Sequence, residues 1–482
     1  MSQFIDLYPE PVVTPVPPAP ALPQPSTATN YTPGFRETQK AWLAELNNPW
    51  RKLGVIAVYG FFFLRFTDLH LIITAKTGFN NYLLYLFGVP ALVGLLMSGG
   101  LRRAFRLKNS RYFLWFMVLM ILSTLFSTWL GGSIFFTLGY LRSTWVCLIL
   151  LTGLIMTWKE LWRMLQLIAV CAAVNVLIST LLATFLEESG RAGVEIGTNG
   201  NPNDFAAVLM LVIPFLGLIV CTPKMNIIAR ALAFIFIPWG LYRMLASGSR
   251  GAMIGMIVAA IYLIMKLPHR FQFPAVLAGV LVCLTLVPLM PKGVVARLSS
   301  INGGTDRSAV ESTHARIVLL QRSLLYTVER PLFGVGPQQF PNFEGKGAGK
   351  GGVDQAILWY GTHNSYTEIS SETGIPAFIF YVLALTYSYT LLKRVYQRTR
   401  RRKPSLKLAR LNRAALFTLV AMVGFCMTIA FNNFGYMVFT PILIGLSAVF
   451  AEVTEHEFHI PLGSTKRTRS QGARWATATV EP

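Results

Sequence analysis

The chain has 482 residues, 53% of them hydrophobic and only 13% charged, with a mean hydropathy of +0.51. Soluble domains carry about twice that share of charge, so a water-soluble globular protein is excluded. The formal charge of +22 invites a nucleic-acid partner, but its distribution along the chain argues for a different use.

The first fifty residues are rich in proline (Pro9, Pro11, Pro15, Pro17, Pro18, Pro20, Pro23, Pro25) and read as an extended, disordered cytoplasmic tail over 1–50. They lack a basic start followed by a short apolar core, so no cleavable signal peptide is expected. A short amphipathic helix near Phe35–Leu46 reads as lying on the membrane surface. From 51 onward apolar runs recur, such as Val55–Leu64, Leu83–Met97, Phe113–Leu130 and Phe205–Val220. With their flanks they approach the roughly 20 residues that cross a hydrocarbon core. Backbone groups in lipid satisfy themselves within a helix, and the alternation of barrel strands is missing. The expected fold class is therefore an all-α polytopic membrane protein.

Lys and Arg gather in short connections: Arg102 to Arg111, Lys159 and Arg163, Lys224 and Arg230, Lys266 and Arg270, and most densely Lys393 to Arg413. Basic short loops stay in the cytoplasm. Alternating basic connections and the run count together predict about twelve transmembrane helices. Nine fall in 51–290 and three in 375–452, with a large outward loop containing short helices between them at 291–374. Both termini are then cytoplasmic, the second as a basic tail over 453–482. The positive charge serves topology, with membrane lipid headgroups as its partners, and no nucleic acid is expected. Cys147, Cys171, Cys221, Cys283 and Cys426 are scattered in or beside apolar runs, which favours packing over a disulfide or zinc framework. Arg65 and Asp68, three apart in the first run, read as a buried pair that shapes the bundle.

Three connections face outward on this reading: 187–204 (EESGRAGVEIGTNGNPND), 247–251 (SGSRG) and the long 291–374 segment. A loop that long is functional or disordered. Its stretch around Ile317, Val318, Leu320, Leu324, Leu325 and Val328 has an apolar helical face; Pro331 stops that helix, and PLFGVGPQQF returns. Thr362 or Asn364 then caps a further helix.

Arg191 and Arg250 lie in outward loops, where topology gives no reason for arginine. A guanidinium fork suits a phosphate group, and flanking glycines let a headgroup approach; snorkelling to lipid phosphates is the plain alternative. His363 is the strongest candidate for proton chemistry, and a helix N-terminus favours its neutral form. Capping or a loop hydrogen bond is the competing role. His314, two residues before Arg316, is a second candidate, better suited to packing or hydrogen bonding. Glu368 and Glu372, four apart, share one helix face; they orient His363 or an arginine, or simply form a solvated face. No metal is expected, since acidic residues total 21 and no DxD pair stands in an outward loop.

In chain order these pieces resemble the O-antigen ligase and O-antigen polymerase superfamily. They are Arg191 with NGNPNDFA at Asn199–Ala206, SGSRGA at Ser247–Ala252, HAR at His314–Arg316, ERPLFGVGPQQF at Glu329–Phe340, and HNSYTEISSETGIPAF at His363–Phe378. The resemblance implies a bacterial inner-membrane enzyme that moves a glycan from an undecaprenyl-diphosphate carrier to an acceptor hydroxyl, with no metal, cofactor or nucleotide sugar. It makes the large outward loop at 291–374 periplasmic. It implies that Arg191 and Arg250 bind the donor diphosphate, that Arg316 helps hold the donor or shape the pocket, and that His363 activates the acceptor. His314, Asn364, Glu368 and Glu372 are supporting candidates. The acceptor is lipid A-core in a ligase or another lipid-linked glycan in a polymerase, and the ligase reading is slightly preferred. A transporter of similar span number is the competing class, but no second copy of HNSYTEIS or SGSRG marks an internal repeat. A structural scaffold would leave the outward arginines and His363 unexplained.

Overall fold

The computed structural model describes residues 42–182, 184–186, 191–193, 201–291, 293–295, 307–346, 360–402 and 405–462, with the backbone alone for 184–186, 191–193, 307–313 and 346. The chain divides at Asn47 into a small first unit and a second unit from Asn48 onward. In the first unit residues 42–47 are helical. The tail over 1–41, including the start of the expected surface helix, lies outside the described residues, as does the basic tail beyond 462.

Among its described residues the regular structure of the second unit is helical apart from one short ladder. Its helices are α1 (Pro49–Thr67), α2 (Leu69–Thr77), α3 (Leu83–Met97), α4 (Gly100–Ala104), α5 (Lys108–Leu125), α6 (Leu130–Tyr140), α7 (Val146–Leu154) and α8 (Trp158–Leu181). They continue as α9 (Pro202–Cys221), α10 (Ile227–Ala246), α11 (Arg250–Lys266), α12 (His269–Leu286), α13 (Arg307–Glu329), α14 (Phe340–Lys346), α15 (Ser365–Arg400), α16 (Leu406–Thr428) and α17 (Phe439–His456). Between α8 and α9, β1 (Thr184–Leu186) and β2 (Arg191–Gly193) form an antiparallel pair with Leu186 opposite Arg191.

Local sequence explains the main starts and breaks. Asn48 caps α1 by accepting from the Trp50 and Arg51 N–H groups, with Pro49 at the first helical position, where its missing N–H costs nothing. Thr157 and Glu160 form a capping box on α8, and the Glu160 carboxylate also receives Arg51 at 2.8 Å. Asp68 adopts a left-handed conformation (φ 49°) between α1 and α2, which meet at a 65° bend. Asn175 donates to the Phe66 carbonyl at 2.8 Å beside that bend. The Arg65 guanidinium donates to the Ser143 carbonyl at 2.9 Å, within the π-helical turn Leu141–Trp145.

The expectation of about twelve spans is corrected by the structure. Among the described residues seven helical segments are long and apolar enough to cross a membrane, or eight if the bent α1–α2 pair counts as one. Several runs counted from sequence are too short or too polar once their helical limits are known. Helix α3 has 15 residues and contains Pro90, and α11 has 17 residues. Helix α5 opens on Lys108, Asn109, Ser110 and Arg111, and α17 carries Glu452, Glu455 and His456. Apolar run length alone merged such segments with true membrane-length helices.

The core is built around α9, α16 and α17, whose side chains are buried along most of their length, while α12 is exposed along almost all of its own. Helix α5 packs along α15, and α11 along α16. Asn109 ties three helices together, its amide donating towards Ser388 Oγ, the Ile444 carbonyl and Ser447 Oγ at 3.1, 3.0 and 2.9 Å. A polar side chain buried among apolar helices is tolerated when its partners are fixed in this way.

Candidate functional site

The site is organised by a break in α15. At Gly374 the backbone turns to φ 84°, ψ 169°, a conformation open only to glycine. Pro376 follows and has no N–H to offer the Glu372 carbonyl. The carbonyls released by the break are taken up by the returning loop: Val335 N–H donates to Ser371 O and Gly336 N–H to Glu372 O, both at 2.9 Å. Ile375 N–H in turn donates to Pro331 O at 2.7 Å. Gly334 (φ 64°) has no room for a side chain, since a Cβ would sit 2.4 Å from the Glu372 carbonyl carbon. Thus PLFGVGPQQF is a strap threaded through the break.

The strap is also stitched to the α5–α6 corner. Ser123 Oγ donates to Phe333 O at 2.6 Å, Thr128 N–H to Val335 O at 3.0 Å, and Ser133 Oγ to Pro337 O at 3.1 Å. On its far side Leu319 and Tyr326 of α13 close over Val335 and Phe340 in a small separate core. Tyr326 donates to Glu344 of α14, and Thr327 meets Ser370 of α15 at 2.8 Å.

Glu368 and Glu372 do share a face, but that face is not solvated: they are 6% and 2% exposed. Their oxygens accept from backbone N–H groups. Glu372 holds the strap through Gln338 N–H (2.7 Å) and Phe340 N–H (3.1 Å), and Glu368 holds Gly435 N–H at 3.0 Å. The two glutamates brace the first turns of α15 against two different loops, the strap and the segment at Gly435.

The loop held by Glu368 is a hub that sequence reading passed over. Asn432 donates to Asn203 O at the start of α9 (3.1 Å), and its own carbonyl receives Ser365 Oγ (2.6 Å). Thr362 Oγ1 reaches Asn433 Oδ1 at 3.2 Å, and a Cβ on Gly361 would lie 2.2 Å from Asn433 Nδ2. One residue earlier, Phe431 fills the space over Gly251, where a Cβ would lie 2.6 Å from the Phe431 Cβ. The N-termini of α9, α11 and α15 therefore all meet the segment 431–435. The signal was the polar pair Asn432–Asn433 between two strongly apolar runs, which motif reading absorbed into a connection.

His363 stands at this junction, half-buried, with a left-handed backbone (φ 51°). Asn364 behind it caps α15, its side chain accepting from the Tyr366 and Thr367 N–H groups at 2.9 and 3.3 Å. Among the described residues no group hydrogen-bonds the His363 ring. Burial, reinforced by the Arg316 charge, lowers its pKa from 6.5 to about 4, so the ring is neutral at physiological pH and free to accept a proton.

Arg316, on α13, is half-buried and close enough to act on His363 electrostatically. Arg250 is half-buried as the first residue of α11, beside the Gly251–Phe431 contact. His314 is exposed on α13. Arg191 lies on β2, which packs against α9 and α10, but its side chain is outside the described residues. The structure thus brings Arg316 within electrostatic reach of His363, with Asn364 adjoining it, and sets the Arg250 end of α11 on the same hub. The two glutamates hold backbone of the strap and of the hub. Among the described residues no group of three or more His, Cys, Asp or Glu side chains is placed to hold a metal ion.

No curated protein matched the chain. Residues 232–382 match the family model described as O-antigen ligase. The match takes in Arg250, the 314–316 element, the strap, His363 and the broken start of α15. Over that segment, about a third of its length, the chain is similar to the O-antigen ligase family.

Proposed function

We propose that this chain transfers a glycan from an undecaprenyl-diphosphate carrier to an acceptor hydroxyl, with His363 as the base. The observation that carries the reading is a neutral imidazole, without a hydrogen-bond partner among the described residues, at the meeting point of three helix N-termini. The acceptor oxygen attacks the anomeric carbon, the bond from that carbon to the diphosphate oxygen breaks, and the hydroxyl proton passes to the imidazole. The departing diphosphate is met by Arg250 and Arg191, with Arg316 alongside, and by the positive ends of the helices. These charges stabilise the leaving group more than the bound donor, which is what accelerates transfer.

A ligase passing the glycan to lipid A-core and a polymerase passing it to another lipid-linked glycan use the same proton and the same leaving group. The single large loop over the site supports the ligase reading, and the polymerase is the second. In this proposal the site lies on the periplasmic face of the inner membrane, with both termini in the cytoplasm.

The test is glycan transfer in reconstituted membranes by wild type, His363→Asn, Arg191→Ala and Arg250→Ala at matched insertion. Asparagine tolerates the left-handed backbone of position 363, so that variant removes the base and keeps the fold. A loss of about a hundredfold or more at position 363, the range for a general base, is expected. Full transfer by all three variants would overturn the assignment of these residues, and substrate movement without transfer by the wild type would favour a transporter.

A further inference from the structure

Helix α13 is apolar on two opposite faces. One face, with Leu319 and Tyr326, is used in the small core under the strap. The other carries Ile317, Leu324, Leu325 and Val328, spaced so that all four fall on one stripe, and all are exposed, Val328 by 75%. Leu332, 64% exposed, extends the stripe past the helix end. A contiguous apolar stripe on a helix of a long polar connection marks an interaction surface.

The stripe runs directly into the exposed apolar side of a helix of membrane length. Pro331 O receives the Ile375 N–H at 2.7 Å, and a Cβ on Gly374 would lie 2.3 Å from Leu332 O. This places the stripe end against the start of the membrane-length part of α15. There Ile375, Ile379 and Leu383 repeat every four residues and are exposed. On the other flank Phe333 stacks on Phe126 at 4.2 Å, and Phe126 is exposed beside Leu125 at the end of α5.

We propose that α13 lies in the interfacial zone of the bilayer with its outer stripe among the acyl chains of the near leaflet, so that a lipid surface is its partner. The amphipathic character needed for such a position is present, and the turn at Pro331–Val335, pinned by the Ile375 N–H on Pro331 O, carries the stripe onto the exposed apolar side of α15. The strap and the site beneath it are then anchored to the membrane through α13, and a lipid-borne substrate meets the site from the bilayer plane. This inference rests on the membrane-spanning reading of α15 and not on the reaction, so its test needs no activity.

Cys221, Cys283 and Cys426 are first replaced by alanine, since Cys221 and Cys283 are exposed and Cys426 is partly so. Leu324→Cys, Val328→Cys, Ile379→Cys and Gln338→Cys are then labelled with a small environment-sensitive fluorophore in phosphatidylcholine vesicles. All four positions except Ile379 lie outside the membrane-length helices, and Gln338 is exposed on the strap away from the stripe. Bromine-labelled acyl chains should quench Leu324→Cys and Val328→Cys as strongly as Ile379→Cys, leaving Gln338→Cys bright, and iodide should show the reverse order. Quenching of the two stripe positions by iodide and not by bromolipid would overturn the proposal. So would crosslinking between copies at Val328→Cys without lipid quenching, which would assign the stripe to a second copy.

Discussion

Glu372 offers the sharpest test of how the site is held. Its carboxyl, 2% exposed, accepts two backbone N–H groups of the strap, from Gln338 and Phe340, at 2.7 and 3.1 Å. In Glu372→Gln one oxygen remains as an acceptor and the other becomes an amide donor facing an N–H. A buried donor left without its acceptor costs about 1–3 kcal/mol. In Glu372→Ala both strap amides lose their acceptor, for roughly twice that cost. The cost falls locally on the strap, so amide hydrogen exchange over residues 331–340 is the assay. At about 1.4 kcal/mol per factor of ten, exchange at Gln338 or Phe340 should rise roughly tenfold to a hundredfold in Glu372→Gln. It should rise further in Glu372→Ala, with protection in α9 and α16 unchanged. Wild-type protection of the strap in Glu372→Ala would refute the reasoning and make the glutamate a bystander to loop placement.

The His363 ring binds a proton below about pH 4 in the folded chain and below its ordinary 6.5 once unfolded. The stability it contributes is therefore complete above pH 6.5 and is lost as pH falls through about 4. As the base, it should give transfer an acid limb near pH 4; Arg316→Gln should move that limb up part of the way towards 6.5, because burial is the larger cause. A limb that does not move in a pH–rate profile would separate Arg316 from His363. Gly334→Ala should destabilise by at least about 1–2 kcal/mol from its left-handed backbone alone, with the 2.4 Å contact to Glu372 added. A melting curve in detergent that matches wild type would count against the threaded strap. Asn364→Ala removes the cap of α15 and should cost about 1 kcal/mol; because the cap adjoins His363, transfer should fall together with the melting temperature.

Hydropathy made the helical membrane class legible, because backbone groups in lipid permit few alternatives. The number of spans was not legible. A run such as Leu83–Met97 and one such as Pro202–Cys221 look alike until helix limits are known, and a bend such as that at Asp68 depends on one residue's backbone. Local signals were readable where residue type and backbone demand coincide, as in the Asn364 cap of α15 and the turn-rich return at Pro331–Phe340. The candidate site was not readable where side chains act on distant backbone. Nothing near Glu368 in sequence reveals that its partner is Gly435, and the hub at Asn432–Asn433 becomes visible only when α9, α11 and α15 are brought to it.

The break at Gly374 has a consequence for how such a loop is inherited. Two carbonyls of α15 depend on strap amides for their partners, and the strap depends in turn on Ser123, Thr128 and Ser133. A chimera that imports the loop of a relative but keeps the host's helix would leave unmatched polar groups at the seam. Residues 331–376 and the α5–α6 corner therefore form one exchangeable cassette. Sequence drift can accumulate on either side of it more readily than through it.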